Sequence, residues 1–507
     1  MGGKILYKKW QCLKKRLREI YDLESVIAVL TWDQNTHMPP GGAEARGKQL
    51  SVLGELAHQK KTAPELGELL EAVESEPPFL SYDSDQASIV RVAKRQYLEA
   101  QKVSTGFISR FYEHIAKTNQ IWMEARESND FGKVAPCLEK TLDLSREYAS
   151  FFPESEHIAD PLINRSDYGM KASDIQELFH QLRRQLVPFV DEITQQPASD
   201  RSCLLQAYPV QKQLDFCKEV IAKMGFDFRR GRLDLAMHPF MIGFAAGDIR
   251  ITTRVKEQDL SEVLFSTIHE AGHAIYEMGI NPAYEGTPLH NGISCGVHES
   301  QSRLWENIIG RSREFWSYFY PKLQARFPSQ LGNVSLDDFY RAINHVERSL
   351  IRTDADELTY NLHVIIRFDL ELALLEGKLQ IRDLPEAWNE RYKTDLGLVP
   401  PNDRDGVLQD IHWYFDFIGG VFQGYTLGNI LSSQFYQAAL KACPEIPEQI
   451  VHGNFVPLHA WLKENIYQHG SKYTAAEIVE RATGSSLAIE PYMEYLRKKY
   501  YNLYLSR

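Results

Sequence analysis

His269-Glu270-Ala271-Gly272-His273 is the stretch from which chemistry can be read first. Two imidazoles four residues apart lie one above the other on a helical face, so both can reach a single Zn2+, while Glu270 between them stands where it can act on a metal-bound water. That is most of the working set of a zinc peptidase. With 16 His and 68 Asp plus Glu in 507 residues, the bare pattern arises by chance in on the order of a few per cent of such chains, so its surroundings must decide. They favour a helix. Asp259 followed by Glu262 is a capping-box-like start, and Leu260, Val263, Leu264, Thr267, Ile268, Ala271, Ile275 and Met278 recur at helical spacing until Gly279 and Pro282 supply stop signals.

A catalytic zinc takes a third protein ligand and keeps one position open. No third His follows His273 at close spacing, and the downstream candidates are Glu277, Glu285, His290, His298 and Glu299. Glu277, one turn further along the same helix, would crowd the pair. Glu299 is better placed, early in the next helical run, where the chain has room to turn back; two His and one Glu from a second helix form a known catalytic set. His298 competes with it, its other role being a supporting or substrate hydrogen bond. Glu270 is then the general base that takes a proton from the metal-activated water attacking the carbonyl and passes it to the leaving amine. A neutral donor must also meet the developing oxyanion. His412 and Tyr425 are candidates, although Trp413, Phe415 and Phe417 around them equally suit a core.

The elements that position these residues read as mostly helical. Amphipathic patterns run near Leu6–Leu30, Ala43–Lys60, Pro64–Ser75, Asp83–Lys102, Gly106–Glu127, Val134–Phe151, Ala172–Gln196 and Pro209–Met224, and helices dominate again after Cys295. An irregular stretch, Leu30–Arg46, is expected to be a connector rather than a loop reaching toward a cleft. Asp248-Ile-Arg-Ile-Thr-Thr253 alternates as a strand does, immediately before the metal helix. Zinc peptidases commonly pair extended substrates with an edge strand, so this segment, with Asp248, Arg250 and Thr252, is the expected substrate shelf; a small sheet with no catalytic task is the equal alternative.

Hydrophobic content of 43% and charged content of 25% are ordinary for a globular chain. Length alone suggests two or three domains, but no long polar linker appears, so residues 1–507 are read as one catalytic unit whose two helical halves flank a cleft. A net charge of −11 argues against a nucleic-acid partner. No window approaches a membrane span, the Lys/Arg-rich N-terminus lacks the apolar run of a signal peptide, and six scattered cysteines fit a reducing cytoplasm.

His238-Pro-Phe240, Asp248-x-Arg250-x-Thr252, His269-Glu270-x-x-His273, His298-Glu-Ser-Gln301, Ile351-Arg-Thr-Asp-Ala-Asp356 and Gly406-x-x-Gln409-Asp-x-His412-Trp413 together resemble, in order, the signature set of the carboxypeptidase Taq family of metallocarboxypeptidases. The resemblance implies a mostly α, helical zincin (gluzincin) fold with a deep central groove and a small β-sheet beside the metal helix, similar to the neurolysin and angiotensin-converting-enzyme type, usually as a homodimer. It implies release of single C-terminal residues with broad specificity, often poor on Pro and acidic residues. Zn2+, one per subunit and replaceable by Co2+, would sit on His269, His273 and Glu299. Arg352 would meet the substrate's free C-terminus with the Gly406–Trp413 segment, Gln409 included, and His298 would lie at the substrate. An Arg fork suits a carboxylate on physical grounds, whereas the residues alone allow Arg352 simply to pair with Asp354 or Asp356. A dipeptidyl-carboxypeptidase or oligo-endopeptidase on the same scaffold, and a helical peptide-binding protein with a vestigial site, are the alternatives.

Overall fold

The computed structural model describes residues 2–76, 79 and 81–505. Helices dominate it from Gly2–Thr36 to Glu490–Tyr504, and among the described residues the only sheet has three strands. None of the described helices is long and apolar enough to cross a membrane. The expected breaks hold closely in the first half, with helices at Ala43–Lys61, Pro64–Glu74, Asp85–Lys102, Thr105–Ser128, Ala135–Ser150, Ala172–Thr194 and Val210–Met224.

The Leu30–Arg46 stretch is less irregular than its composition suggests. The first helix continues to Thr36, and the backbone N–H groups of His37 and Met38 then both bond to the Asp33 carbonyl before Pro40–Gly42 forms one 3-10 turn. Arg46 donates to the Asp33 carboxylate at 2.7 Å, closing the two helices into a hairpin. The segment is a connector.

The buried apolar residues fall into two clusters. One gathers Leu13, Leu70, Val220, Ile251, the inner face of the metal helix, and Trp305 to Leu331. The other gathers Phe107, Leu138, Phe179, Leu362 to Leu375, Tyr414 and Tyr492. The helix Gln423–Ala442 feeds both, giving Leu427 and Ile430 to the second cluster and Leu431, Phe435 and Ala439 to the first.

The sheet corrects one expectation. Its order is β1 (Leu233–Leu235), β3 (Asp248–Thr253), β2 (Met241–Ala245), with β1 parallel and β2 antiparallel to β3. β3 is therefore the central strand, both of its edges are taken, and it cannot add a substrate strand. Thr252 is fully buried, and its hydroxyl accepts from the Phe240 N–H at 2.9 Å and faces the Phe240 carbonyl at 3.3 Å. Asp248 and Arg250 are bound to each other through two N–H···O contacts of 2.8 and 2.7 Å, and the Arg250 guanidinium stacks 4.5 Å from the Trp32 ring. These contacts hold the sheet to its neighbours. Alternation identified the strand, but its partners are short and lack an alternating signature of their own.

The helix Cys295–Arg303 runs between the metal helix (Leu260–Gly279) and Gln423–Ala442, and glycines make this approach possible. A Cβ on Gly272 would lie 2.7 Å from Ser302 Cα, and one on Gly428 would lie 2.4 Å from Glu299 Cγ. The Gly428→Ala substitution should therefore cost about 1–3 kcal/mol in a denaturant melt, as overpacking of a tight core does, and weaken metal retention in a chelator competition. Gly54→Ala, where nothing lies within 4 Å on an exposed helix, should instead raise stability by about 0.5–1 kcal/mol.

Candidate functional site

The metal helix begins at Asp259, whose side chain accepts from the Ser261 N–H at 3.0 Å. The reciprocal half of the expected capping box is absent, because Glu262 instead receives Arg254 and Lys256. Val263, Leu264, Ile268, Ala271, Ala274 and Ile275 are buried against the first core, which turns His269 and His273 toward the Cys295–Arg303 helix. That second helix is capped by the Ser294 side chain and by buried Asp167, which accepts from the Gly296 N–H at 2.7 Å. The register of the two helices then brings a Glu299 carboxylate oxygen to 3.6 Å from His269 Nε2 and 3.3 Å from His273 Nε2.

The three donor atoms lie within 4.8 Å of one another. Their remaining atoms are already engaged. His269 Nδ1 is 2.8 Å from the Glu306 carboxylate; His273 Nδ1 is 2.6 Å from His298 Nδ1, and His298 Nε2 is 2.9 Å from Glu277. If both ligand rings donate from Nδ1, both Nε2 lone pairs face the common space, and His298 passes the constraint to Glu277 through its own N–H. The second Glu299 oxygen accepts from Arg303 Nε at 2.7 Å. Two neutral imidazole nitrogens and one carboxylate oxygen, each oriented from behind, are the donor set that fits Zn2+ with an open position. His298 thus stands between His273 and Glu277, in the supporting position.

The charges agree with this geometry. Burial opposes ionisation of Glu299, but Arg303 and the two imidazoles outweigh it and hold the carboxyl well below its usual range. Burial lowers His273 to about 4, so that it stays neutral, as a ligand must be. Arg303 lies between Glu299 and Glu306, donating to the second through Nη1 at 3.2 Å. Glu270 is buried with no hydrogen-bond partner among the described residues, and burial pushes its carboxyl up to about 7 in the metal-free protein.

A second cluster lies on the far side of Arg303. Arg352 is buried, and its partner is neither Asp354 nor Asp356 but Asp410, which receives Nε at 3.0 Å and Nη2 at 2.8 Å. Asp356 instead accepts the N–H groups of Leu358 and Thr359. Arg352 Nη1 donates to the Tyr360 hydroxyl at 2.9 Å, which leaves one N–H on each terminal nitrogen without a partner among the described residues. The fully buried Arg367 also donates to Asp410. Two guanidinium groups on one carboxylate leave a net positive charge. Burial also keeps His412 neutral, at about 3, and pushes Glu371 up to about 8.

Gln409 ties the second cluster to the backbone. Its Oε1 accepts from the Arg352 N–H at 2.9 Å and from Arg367 at 2.8 Å, while its Nε2 donates to the carbonyls of Leu350 and Asp405. His412 Nε2 and the Tyr425 hydroxyl are 3.0 Å apart, and the Tyr425 ring lies 5.2 Å from the Arg352 guanidinium. The structure thus gathers His269, His273, Glu299 and Glu270 at one place and Arg352, His412 and Tyr425 at another. Glu306, Arg303, Arg367 and Asp410 were not singled out from sequence. Arg303 carried a usable signal, since it follows Glu299 by four residues on the same helical face, whereas Glu306 lies in the π-helical turn Leu304–Ile309, which no periodicity announces.

Removing the carboxylate behind His269 with Glu306→Ala should lower Zn2+ affinity about 10- to 100-fold in a chelator competition. Glu371 accepts from Trp413 Nε1 at 2.7 Å, and its other oxygen has no partner among the described residues. Its carboxyl ionises near 4.5 in the unfolded chain and about 8 in the folded one, so between these values the folded protein retains a proton that unfolding releases, and stability falls as pH rises. Urea melts from pH 5 to 8 should show the parent chain losing on the order of 1 kcal/mol per pH unit relative to Glu371→Gln.

The chain matches the family described as carboxypeptidase Taq (M32) metallopeptidase over residues 12–500. It is 39% identical over 505 residues to thermostable carboxypeptidase 1 of Thermus thermophilus, covering 98% of this chain and 99% of that one. Carboxypeptidase 1 of Bacillus subtilis is 36% identical over 491 residues, covering 96% and 97%. The crystal structure of an M32 carboxypeptidase from Deinococcus radiodurans superposes with a TM-score of 0.96 at 49% identity, covering 98% of this chain and 99% of that one. With this agreement along the whole length and a His/His/Glu cluster at the centre, the chain belongs to the carboxypeptidase Taq family of metallopeptidases.

Proposed function

We propose that this zinc-type metallocarboxypeptidase, which releases C-terminal residues from peptides, works through two clusters: His269, His273 and Glu299 hold Zn2+, and Arg352 receives the substrate's α-carboxylate. The metal, when bound, supplies a Lewis acid that polarises the scissile carbonyl, and Co2+ suits the same nitrogen and oxygen donors. Glu270, buried and without a competing hydrogen bond among the described residues, takes the proton of the attacking water and returns it to the leaving amine. Neutral His412, donating to Tyr425 from Nε2, leaves the Tyr425 hydroxyl proton to meet the developing oxyanion.

The observation that carries exopeptidase action is the shared carboxylate of Asp410. It fixes Arg352 and Arg367 while cancelling only one of their two charges, and neutral His412 leaves the surplus in place to meet a free C-terminus. A Glu ligand from a second helix, with a small sheet against the His-Glu-x-x-His helix, supports placing the fold among the gluzincins of the neurolysin type. One helix packed into both cores supports a single catalytic unit over the chain. We extend the family pattern to a cytoplasmic homodimer of broad specificity that removes single residues and acts on peptides rather than nucleic acids or membranes.

A time course on an N-blocked peptide, followed by mass spectrometry with and without chelator, should give a ladder losing one residue at a time, and the C-terminal amide of the same peptide should be cleaved at least 100-fold more slowly. Release of dipeptides or internal cuts would favour the endopeptidase reading. Glu270→Gln should retain the metal and lose about 10²- to 10⁴-fold in kcat, and an active variant would sink the mechanism.

A further inference from the structure

Tyr360 opens the helix Tyr360–Leu375 and is buried at 6% exposure within the second apolar core, between the metal site and the Arg352 cluster. Its hydroxyl oxygen accepts from Arg352 Nη1 at 2.9 Å. Its ring lies 4.4 Å from the guanidinium of Arg303, whose Nε is 2.7 Å from Glu299 and whose Nη1 is 3.2 Å from Glu306. One phenol therefore touches both the cation assigned to the substrate carboxylate and the cation that fixes the third metal ligand. The two cations repel each other, and the electron-rich face and the hydroxyl oxygen of the ring attract them at different points, which sets their separation.

An exopeptidase needs that separation more than an endopeptidase does. The distance from the anchored carboxylate to the metal decides which carbonyl reaches the reactive centre, and a displacement of about 1 Å can cost 100-fold in rate. We propose that Tyr360 is a positioning residue that holds the C-terminal anchor Arg352 and the metal-ligand brace Arg303 at a fixed spacing, so that cleavage falls on the last peptide bond. This inference rests on the assignment of Arg352 and Glu299 given under Proposed function. The two halves of the side chain have separable tasks, the hydroxyl acting on Arg352 and the ring acting on Arg303.

The test uses Tyr360→Phe and Tyr360→Leu in the zinc-loaded enzyme, with folding checked by circular dichroism. Tyr360→Phe keeps the ring, so its Zn2+ affinity in a chelator competition should stay within about twofold of the parent. Its kcat/KM on a free-acid peptide should fall about 10-fold or more through KM, while hydrolysis of the matching C-terminal amide should change little. Tyr360→Leu should show the same substrate defect and, in addition, a Zn2+ affinity about 10-fold lower. Equal losses of free-acid and amide cleavage in Tyr360→Phe, or no loss at all, would overturn the inference, and if Tyr360→Leu fails to fold the Phe variant still decides. A parent enzyme that does not distinguish acid from amide would remove the anchor assignment and the inference together, whereas a parent that distinguishes them beside an unaffected Tyr360→Phe would remove the inference alone.

Discussion

A carboxylate placed where two helices touch backbone to backbone is the constraint on which the site depends. Glu299 lies between the metal helix and Gln423–Ala442, against Gly428 on one side and the two imidazoles on the other. Burial of a charge in such a place is costly unless it is paired and hydrogen-bonded. Arg303 provides the pairing, and Arg303 is in turn shared with Glu306, which orients His269. The ligand set, its orienting groups and the close packing of three helices are thus one arrangement.

The second cluster follows the same rule with the signs reversed. Arg352 and Arg367 are buried cations that share Asp410, with Gln409 tying Arg367 to the backbone of Arg352. At the metal site Arg303 pairs with both Glu299 and Glu306, and Arg311 reaches Glu306 as well, so each buried carboxylate has a guanidinium beside it. At the second cluster two guanidinium groups share one carboxylate, which leaves a positive surplus.

Local spacing was legible in the sequence. The His269–His273 pair, Glu270 between them and the helix carrying them follow from a period of 3.6 residues, and Glu299 from ligand chemistry and the next helical run. Partner choice was not. Asp354 and Asp356 stood next to Arg352 in the chain, but Asp410 reaches it in the fold because the Gly406–Trp413 segment turns back over it. The same limit hid the central place of β3 and the partners of His298 and Gln409, because motif membership marks residues without saying what each one touches. Helix boundaries were read closely where Gly, Pro or capping residues mark them, and misread at Leu30–Thr36, where polar residues continue a helix held by packing.

The helix shared by the two cores also limits how this enzyme can move. Gln423–Ala442 contributes apolar residues to both cores and touches Glu299 at Gly428. A shift of one core against the other would therefore be felt at the carboxylate that faces His269 and His273, which ties the geometry of this cluster to the packing of the whole chain.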